Sequence, residues 1–175
     1  ELGGLAWFRA SDSAAGPDNF ELWSFDGAST FTKYELVAGD DSSRASDLVA
    51  LDGKLFFTAS DVAGTPANVE LWAYNGNASP VVGTDIFEVI ELAPGTAGSH
   101  PDGLTAMGGR LYFEATDATA GYQLWEYDGS ESPALGTDIR QVTINAAGSA
   151  YPGALSVFND RLVFQLELLG PPDLV

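Results

Sequence analysis

The stretch that decides the fold is Glu21-Leu22-Trp23-Ser24-Phe25-Asp26-Gly27, because two related stretches follow it along the chain. They are Glu70-Leu71-Trp72-Ala73-Tyr74-Asn75-Gly76 and Gln123-Leu124-Trp125-Glu126-Tyr127-Asp128-Gly129. The tryptophans of the three copies lie 49 and 53 residues apart. A period of this length is typical of repeat proteins, in which one supersecondary unit stacks on the next.

A second motif precedes each copy of the first. It reads Trp7-Phe8-Arg9-Ala10-Ser11-Asp12, Phe56-Phe57-Thr58-Ala59-Ser60-Asp61 and Tyr112-Phe113-Glu114-Ala115-Thr116-Asp117, with a divergent fourth copy at Val163-Phe164-Gln165-Leu166-Glu167-Leu168. The shared phenylalanines are Phe8, Phe57, Phe113 and Phe164, which lie 49, 56 and 51 residues apart. Because two linked motifs share one period, the chain holds about three and a half repeat units.

Each unit divides into four short strands. Two-residue turns follow the first strand, at Asp52-Gly53, Gly108-Gly109 and Asn159-Asp160, and such pairs tolerate the positive φ angles of tight hairpins. In the second strand the side chains alternate, so that Leu55, Phe57 and Ala59 face one way and Phe56, Thr58 and Ser60 the other. The Glu-Leu-Trp stretch is the third strand, and we predict fourth strands at 34–37, 87–92 and 140–144. No long helical stripe of apolar residues occurs in the sequence.

Four antiparallel strands in each unit are typical of a β-propeller blade. A sheet that is apolar on both faces needs a neighbour on each side. We therefore predict an all-β fold, a β-propeller of four-stranded antiparallel blades, with a β-sandwich as runner-up and a solenoid of stacked sheets as a further alternative. The predicted units of this single repeat domain are 1–45, 46–97, 98–150 and 151–175, within residues 1–175.

The predicted strands number three, four, four and two in the successive units, because Gly3-Gly4 aligns with the turn after the first strand. Closed propellers have about four to eight complete blades, so this ring is incomplete, with about 3.5 blades. Three interpretations follow. The chain is an excerpt of a longer repeat protein, it is a subunit that assembles with copies of itself or with partners, or its units close into a ring by an unusual arrangement. The first two interpretations predict apolar surface at the open ends.

Composition excludes several classes of function. The 175 residues carry 25 acidic and 7 basic side chains, a net charge of −18 and no cysteine. Such a charge disfavours binding to nucleic acids and to anionic membranes, and no apolar run approaches the roughly 20 residues of a membrane helix. Without cysteine there is no disulfide or thiol catalysis, and His100 is the only histidine. We predict no enzyme, and the acidic surface suits an exported or salt-adapted protein.

The two motifs, with Gly83-Thr84-Asp85-Ile86 and Gly136-Thr137-Asp138-Ile139 downstream, resemble those of the bacterial ELWxxDGT-repeat proteins. The resemblance covers nearly the whole chain. It implies a propeller-like fold in a large exported or cell-surface protein, and it brings no catalytic residues with it. The chain departs from the pattern at Asn75 and Gln123, at the residues after the motif glycine, which are Ala28, Asn77 and Ser130, and at Leu168.

Recurring side chains suggest two kinds of site. Asp12, Asp61 and Asp117 follow the second strand in each unit and are candidate calcium ligands, since hard cations prefer carboxylate oxygen. The alternative is a turn in which each carboxylate accepts hydrogen bonds from backbone N–H groups.

We expect the aromatic residues that recur in the repeats to pack between blades, with sugar stacking as the alternative for the tryptophans. These residues are Trp23, Trp72, Trp125, Phe8, Phe57, Phe113 and Phe164. Glu21 and Glu70 are expected to pair with a neighbouring blade's backbone or with arginine.

The sequence thus predicts a non-enzymatic scaffold, adhesion or assembly module, secreted or on a bacterial cell surface. Protein partners or further copies of the chain are expected at the open blade ends. The alternative function is a carbohydrate-binding, lectin-like propeller with a glycan ligand. We expect no nucleic acid partner, no membrane insertion and no cofactor, with Ca²⁺ as the exception raised above.

Overall fold

Thirteen strands and no helix occur in the part of the chain that the structure describes. The structure is a computed structural model, and it describes residues 1–11, 19–37, 42–60, 68–93, 98–117, 121–142 and 149–167. The strands form four antiparallel sheets with three, four, four and two strands in chain order, which we name sheets I to IV. The predicted all-β class and the repeated four-stranded sheets are confirmed, and the described sheets do not close into a ring.

Each sheet is a meander in which every strand pairs with its neighbour in sequence. Sheet I contains β1 (Ala6–Ser11), β2 (Phe20–Phe25) and β3 (Phe31–Tyr34). Sheet II contains β4 (Ser46–Leu51), β5 (Lys54–Ala59), β6 (Glu70–Tyr74) and β7 (Ile86–Ile90). Sheet III contains β8 (Asp102–Met107), β9 (Arg110–Thr116), β10 (Tyr122–Tyr127) and β11 (Ile139–Val142), and sheet IV contains β12 (Ser156–Phe158) and β13 (Arg161–Val163).

The predicted tight turns have the expected backbone. Both residues have positive φ at Asp52-Gly53 (49° and 78°), Gly108-Gly109 (59° and 75°) and Asn159-Asp160 (49° and 56°). This geometry matches the right-handed twist of the two strands that each turn joins. Gly3-Gly4 has it as well, at 63° and 75°, and a short bridge between Leu2 and Leu5 closes the turn. Sheet I therefore begins at the turn, as predicted, and lacks the first strand of its unit.

The sheets stack face to face through two apolar clusters. Between sheets I and II, Phe57 and Trp72 of sheet II share a cluster with Leu22 of sheet I. Between sheets II and III, Phe113 and Trp125 of sheet III share a cluster with Phe56, Leu71 and Ala73 of sheet II. Sheets II and III each turn their aromatic face toward the preceding sheet, and sheets I and II turn the opposite face toward the next. Removal of these rings from water supplies the main stabilising term, about 1.5 to 3 kcal/mol for each large side chain.

The first strands of successive sheets lie against each other. The backbone N–H of Gly103 on β8 donates to the Asp47 carboxylate on β4 at 2.8 Å, and Gly103 also lies close to the side chain of Leu155, just before β12. The first-strand edges of sheets II, III and IV therefore lie next to one another in chain order.

The predicted fourth strands are displaced toward the amino terminus. Strand β3 spans Phe31–Tyr34 instead of 34–37, and β7 ends at Ile90 instead of 92. In sheet I the turn is short, since Asp26 accepts hydrogen bonds from the N–H groups of residues 28, 29 and 30, so the strand begins earlier. It also ends earlier, because the N–H of Leu36 turns to the Glu21 carboxylate at 3.4 Å instead of continuing the ladder.

Gly76, after β6, lies close to the turn between β4 and β5, and Gly129 is its counterpart in the next unit. A Cβ atom on Gly76 would lie 2.7 Å from the carbonyl oxygen of Gly53, whereas a Cβ on Gly129, at the same place in the next unit, would meet nothing within 4 Å. Both residues have positive φ, 88° and 83°, so Gly129→Ala should lower the free energy of unfolding by about 1 to 2 kcal/mol through backbone strain alone. Gly76→Ala should lower it further, by about 1 to 3 kcal/mol more. Equal losses in urea denaturation would contradict the close approach of the two turns.

Candidate functional site

The outer face of sheet I is aromatic and no described sheet covers it. Strand pairing places Phe8 opposite Trp23 and Phe25 opposite Phe31, and side chains directly opposite in an antiparallel pair share one face. The rings of Phe25 and Phe31 stack at 4.5 Å between centroids, and Phe8 meets Phe31 edge-on at 6.2 Å. We call these four residues, Phe8, Trp23, Phe25 and Phe31, the open aromatic face.

The same positions are buried in the other units. In the strand register, Phe31 corresponds to Ile86 of sheet II and Ile139 of sheet III, since each lies opposite the last aromatic of the Glu-Leu-Trp motif. Ile86 and Ile139 have no exposed surface, whereas 60% of the Phe31 surface is exposed. In sheets II and III this face is covered by the preceding sheet, which is sheet I for sheet II and sheet II for sheet III. The open aromatic face is therefore a stacking face whose neighbour is missing among the described residues.

The opposite end of the stack is a smaller apolar surface on sheet IV. Phe158 and Val163 are 68% and 49% exposed. When the turns Asn159-Asp160 and Asp52-Gly53 are aligned, Phe158 takes the position of Leu51 and Val163 that of Phe56. Both of those sheet II residues pack against the aromatic face of sheet III. Sheet IV thus carries part of a receiving face, which the sequence motifs alone did not single out.

The face of sheet III opposite Trp125 carries charged side chains on β9, β10 and β11. Glu126 is buried and forms ion pairs with Arg140 and, at 3.6 Å, with Arg110. In sheet II the position of Glu126 is held by Ala73, which packs in the apolar cluster. A polar outer face is typical of terminal units in repeat proteins. The stack therefore differs at its two ends, with four aromatics at one and ion pairs beside a small apolar surface at the other.

The glutamates of the Glu-Leu-Trp motif bind the segment that leads into the next sheet. Glu21 accepts a hydrogen bond from the N–H of Ser43 at 2.9 Å, and Glu70 accepts one from the N–H of Ser99 at 2.8 Å and another from its hydroxyl. Each serine lies just before the first strand of the next sheet. Burial raises the pKa of Glu70 to about 7 and that of Glu21 above its usual value. The predicted pairing with backbone is confirmed, and these carboxyls are structural.

The repeated aspartates shape turns. Three backbone N–H groups that donate to Asp26 lower its pKa well below the usual range. Asp85 accepts hydrogen bonds from the side chains of Asn75 and Asn77, at 3.0 Å each, and from the N–H of Val81. Asp138 repeats the last of these contacts with Ala134 at 2.8 Å. These carboxylates are engaged within their own loops.

The calcium proposal stays a prediction. Asp12 and Asp61 lie outside the described residues, and Asp117, which directly follows β9, is half-buried. Within the described ranges, no group of three or more acidic or histidine side chains is placed to hold a metal ion. Stacking of the first strands does bring Asp47 close to Asp102, and burial together with the charge of Asp102 raises the pKa of Asp47 and of Glu114. Asp102 and Glu114 lie opposite each other on β8 and β9, whereas no spacing in the sequence links them to Asp47, which belongs to the preceding unit.

The predicted inter-blade aromatics fall into two groups. The buried group packs between sheets and consists of Phe57, Trp72, Phe113 and Trp125. The half-buried group lies in the terminal units and consists of Phe8, Trp23 and Phe164. Trp72 and Trp125 are too deeply buried to stack on a sugar.

No protein-family model, curated protein or solved structure matches this chain. The described part of the chain contains no helix with the length and apolar character needed to span a bilayer.

Proposed function

We propose that this chain is a non-catalytic assembly module built from β-propeller-type repeats, and that it works in an exported or surface-associated bacterial protein. The observation that carries the proposal is the open aromatic face of sheet I. Its residues occupy positions that are fully or almost fully buried under a neighbouring sheet in both sheets II and III. An apolar patch of this kind on a protein surface marks an interaction site.

Three features support the propeller-type part of the proposal. The sheets are four-stranded meanders where a unit is complete, sheets I to III stack face to face, and the first strands of sheets II and III lie against each other through the Asp47–Gly103 contact. The resemblance to the ELWxxDGT-repeat proteins supports the same fold and the exported location. The acidic surface keeps such a module soluble through charge repulsion.

The non-catalytic part is supported by the use of the repeated carboxyls. Glu21, Glu70, Asp26 and Asp85 are bound to backbone or amide groups within the repeat. A catalytic acid or base needs a free face toward a substrate, and these groups are occupied by the fold.

Self-association tests this function. We expect the purified chain to form oligomers as its concentration rises in sedimentation equilibrium, and Phe31→Lys to weaken that association at least tenfold, because a charge would be buried in the contact. Thr32→Lys is the matched control, since Thr32 is also exposed and its side chain points to the other face of β3. A monomer at every concentration, or equal effects of the two lysines, would contradict the proposal.

The carbohydrate-binding alternative has less support. The only exposed aromatic of the tryptophan-bearing face is Phe31 among the described residues, and Lys33 is the polar side chain beside it. Sugar sites combine an aromatic platform with several hydrogen-bonding groups, which this face does not supply. Protection of Phe31 by added oligosaccharides, without any self-association, would favour the alternative.

A further inference from the structure

We infer that the open aromatic face is covered by sheet IV of a second copy of this chain, in a head-to-tail contact that repeats the packing of sheet III on sheet II. This inference rests on the proposed function and names its partner. Both halves of the contact are exposed on one chain: the aromatic half on sheet I, and the receiving half, Phe158 and Val163, on sheet IV.

The existing interface between sheets II and III supplies the apolar part of the template. There the ring of Phe56 meets that of Tyr127 edge-on, at 5.5 Å between centroids. Val163 corresponds to Phe56 and Phe25 to Tyr127 in the aligned repeats. The contact between copies therefore places Val163 of one copy against Phe25 of the next, and it shields the exposed Phe31 and Phe158 at the same time.

The same interface also supplies a polar contact. Lys54 donates from its ammonium group to the carbonyl oxygen of Gly129 at 2.7 Å, from sheet II to the turn of sheet III. The aligned residues at the two ends of the chain are Arg161 and Gly27, and both are exposed. Arg161 is therefore positioned to donate to the Gly27 carbonyl of the next copy. A cation at this place suits a partner with a strongly negative charge.

A symmetric contact between two aromatic faces fits the structure less well. Both internal interfaces pair an aromatic face with the opposite face of a sheet, and a symmetric dimer would leave Phe158, Val163 and Arg161 without a partner. A head-to-tail contact is heterologous, so it closes into a ring or continues as a filament according to the rotation between copies. Because the net charge of −18 opposes any contact between copies, added salt should strengthen this association.

Cross-linking distinguishes these geometries, since the chain has no native cysteine. Ala6 lies on the open aromatic face and Ser156 on the receiving face of sheet IV, and both are exposed. Their counterparts in the template, Leu111 and Val49, pack in one cluster. We expect a short bismaleimide to join Ala6→Cys to Ser156→Cys in a mixture of the two variants, and to give little product with either variant alone. Thr32→Cys in place of Ala6→Cys is the control and should not be joined to Ser156→Cys.

The outcomes separate this inference from the proposed function. Efficient cross-linking of Ala6→Cys to itself would show a symmetric dimer, which overturns the head-to-tail contact but leaves assembly through sheet I intact. Oligomers that form equally well with Phe158→Lys or Arg161→Glu would also overturn it. A chain that stays monomeric throughout would remove both. Cross-linking only in the mixture, together with weaker association of Arg161→Glu, is the expected result.

Discussion

Phe57→Ala should lower the free energy of unfolding by about 3 to 5 kcal/mol, the range for removing a fully buried aromatic ring. Phe57 has no exposed surface and packs in the cluster between sheets I and II. Its loss removes apolar burial and leaves a cavity that the stiff strands on either side fill only in part. Urea or thermal denaturation of the purified chain measures the change.

Phe31→Ala is the matched control for this prediction, because it removes the same ring from the open aromatic face. With 60% of its surface exposed, Phe31 should contribute only about 0.5 to 1.5 kcal/mol, through its contacts with Phe25 and Phe8, when the chain is dilute and monomeric. The main difference between the two positions is that a neighbouring sheet covers the Phe57 ring and none of the described sheets covers the Phe31 ring. Equal losses of stability would show that sheets I and II do not stack as described.

The second large effect is a loss of stability as pH rises. Burial raises the pKa of Glu70 to about 7 from the usual 4.5 of an exposed glutamate, so the folded chain binds this proton more tightly than the unfolded chain does. The resulting stabilisation is complete below the unfolded pKa and is lost as pH passes through about 7. Between about pH 5 and pH 8 the loss should be on the order of 2 to 3 kcal/mol.

Glu70→Gln should remove most of this pH dependence. Glutamine keeps an acceptor for the Ser99 N–H and has no proton to lose, and the chain already places the fully buried Gln123 at this position in the third unit. A weaker slope should remain, since Glu21, Asp47 and Glu114 have raised pKa values too. Chemical denaturation at several pH values compares the variant with the natural chain, and parallel curves for the two would contradict the assignment to Glu70.

Much of the fold could be predicted because the signals that define it are local and recur. The pairs Asp52-Gly53 and Asn159-Asp160 specify tight turns through their own backbone preferences. Leu55 and Phe57 point to one face of the strand and Phe56 to the other, so both faces are apolar and a sheet is required on each side. The same alignment predicted the missing first strand of sheet I and therefore an open end.

The remaining features depend on contacts between residues that lie far apart in the sequence, and no motif or regular spacing indicates such contacts. The early end of β3 follows from the Leu36 N–H turning to Glu21, and no local propensity indicates that choice. Glu126 takes the place of an apolar residue on sheet III, and Arg110 and Arg140 on the neighbouring strands form ion pairs with it. The sequence does not show that these three side chains meet. The receiving face of sheet IV carries no motif of its own; Phe158 and Val163 belong to it because they align with residues of sheet II that are packed against sheet III.

Hydroxyl-radical footprinting with mass spectrometry tests the central claim, that sheet I presents a stacking face without its neighbour. In dilute solution, Phe31 should be oxidised rapidly while Phe57 and Phe113 are protected, because the radical reacts with rings that solvent reaches. Raising the protein concentration should then protect Phe31 and Phe158 together. Similar oxidation of Phe31 and Phe57 in dilute solution, or rapid oxidation of Phe31 at every concentration, would contradict the account.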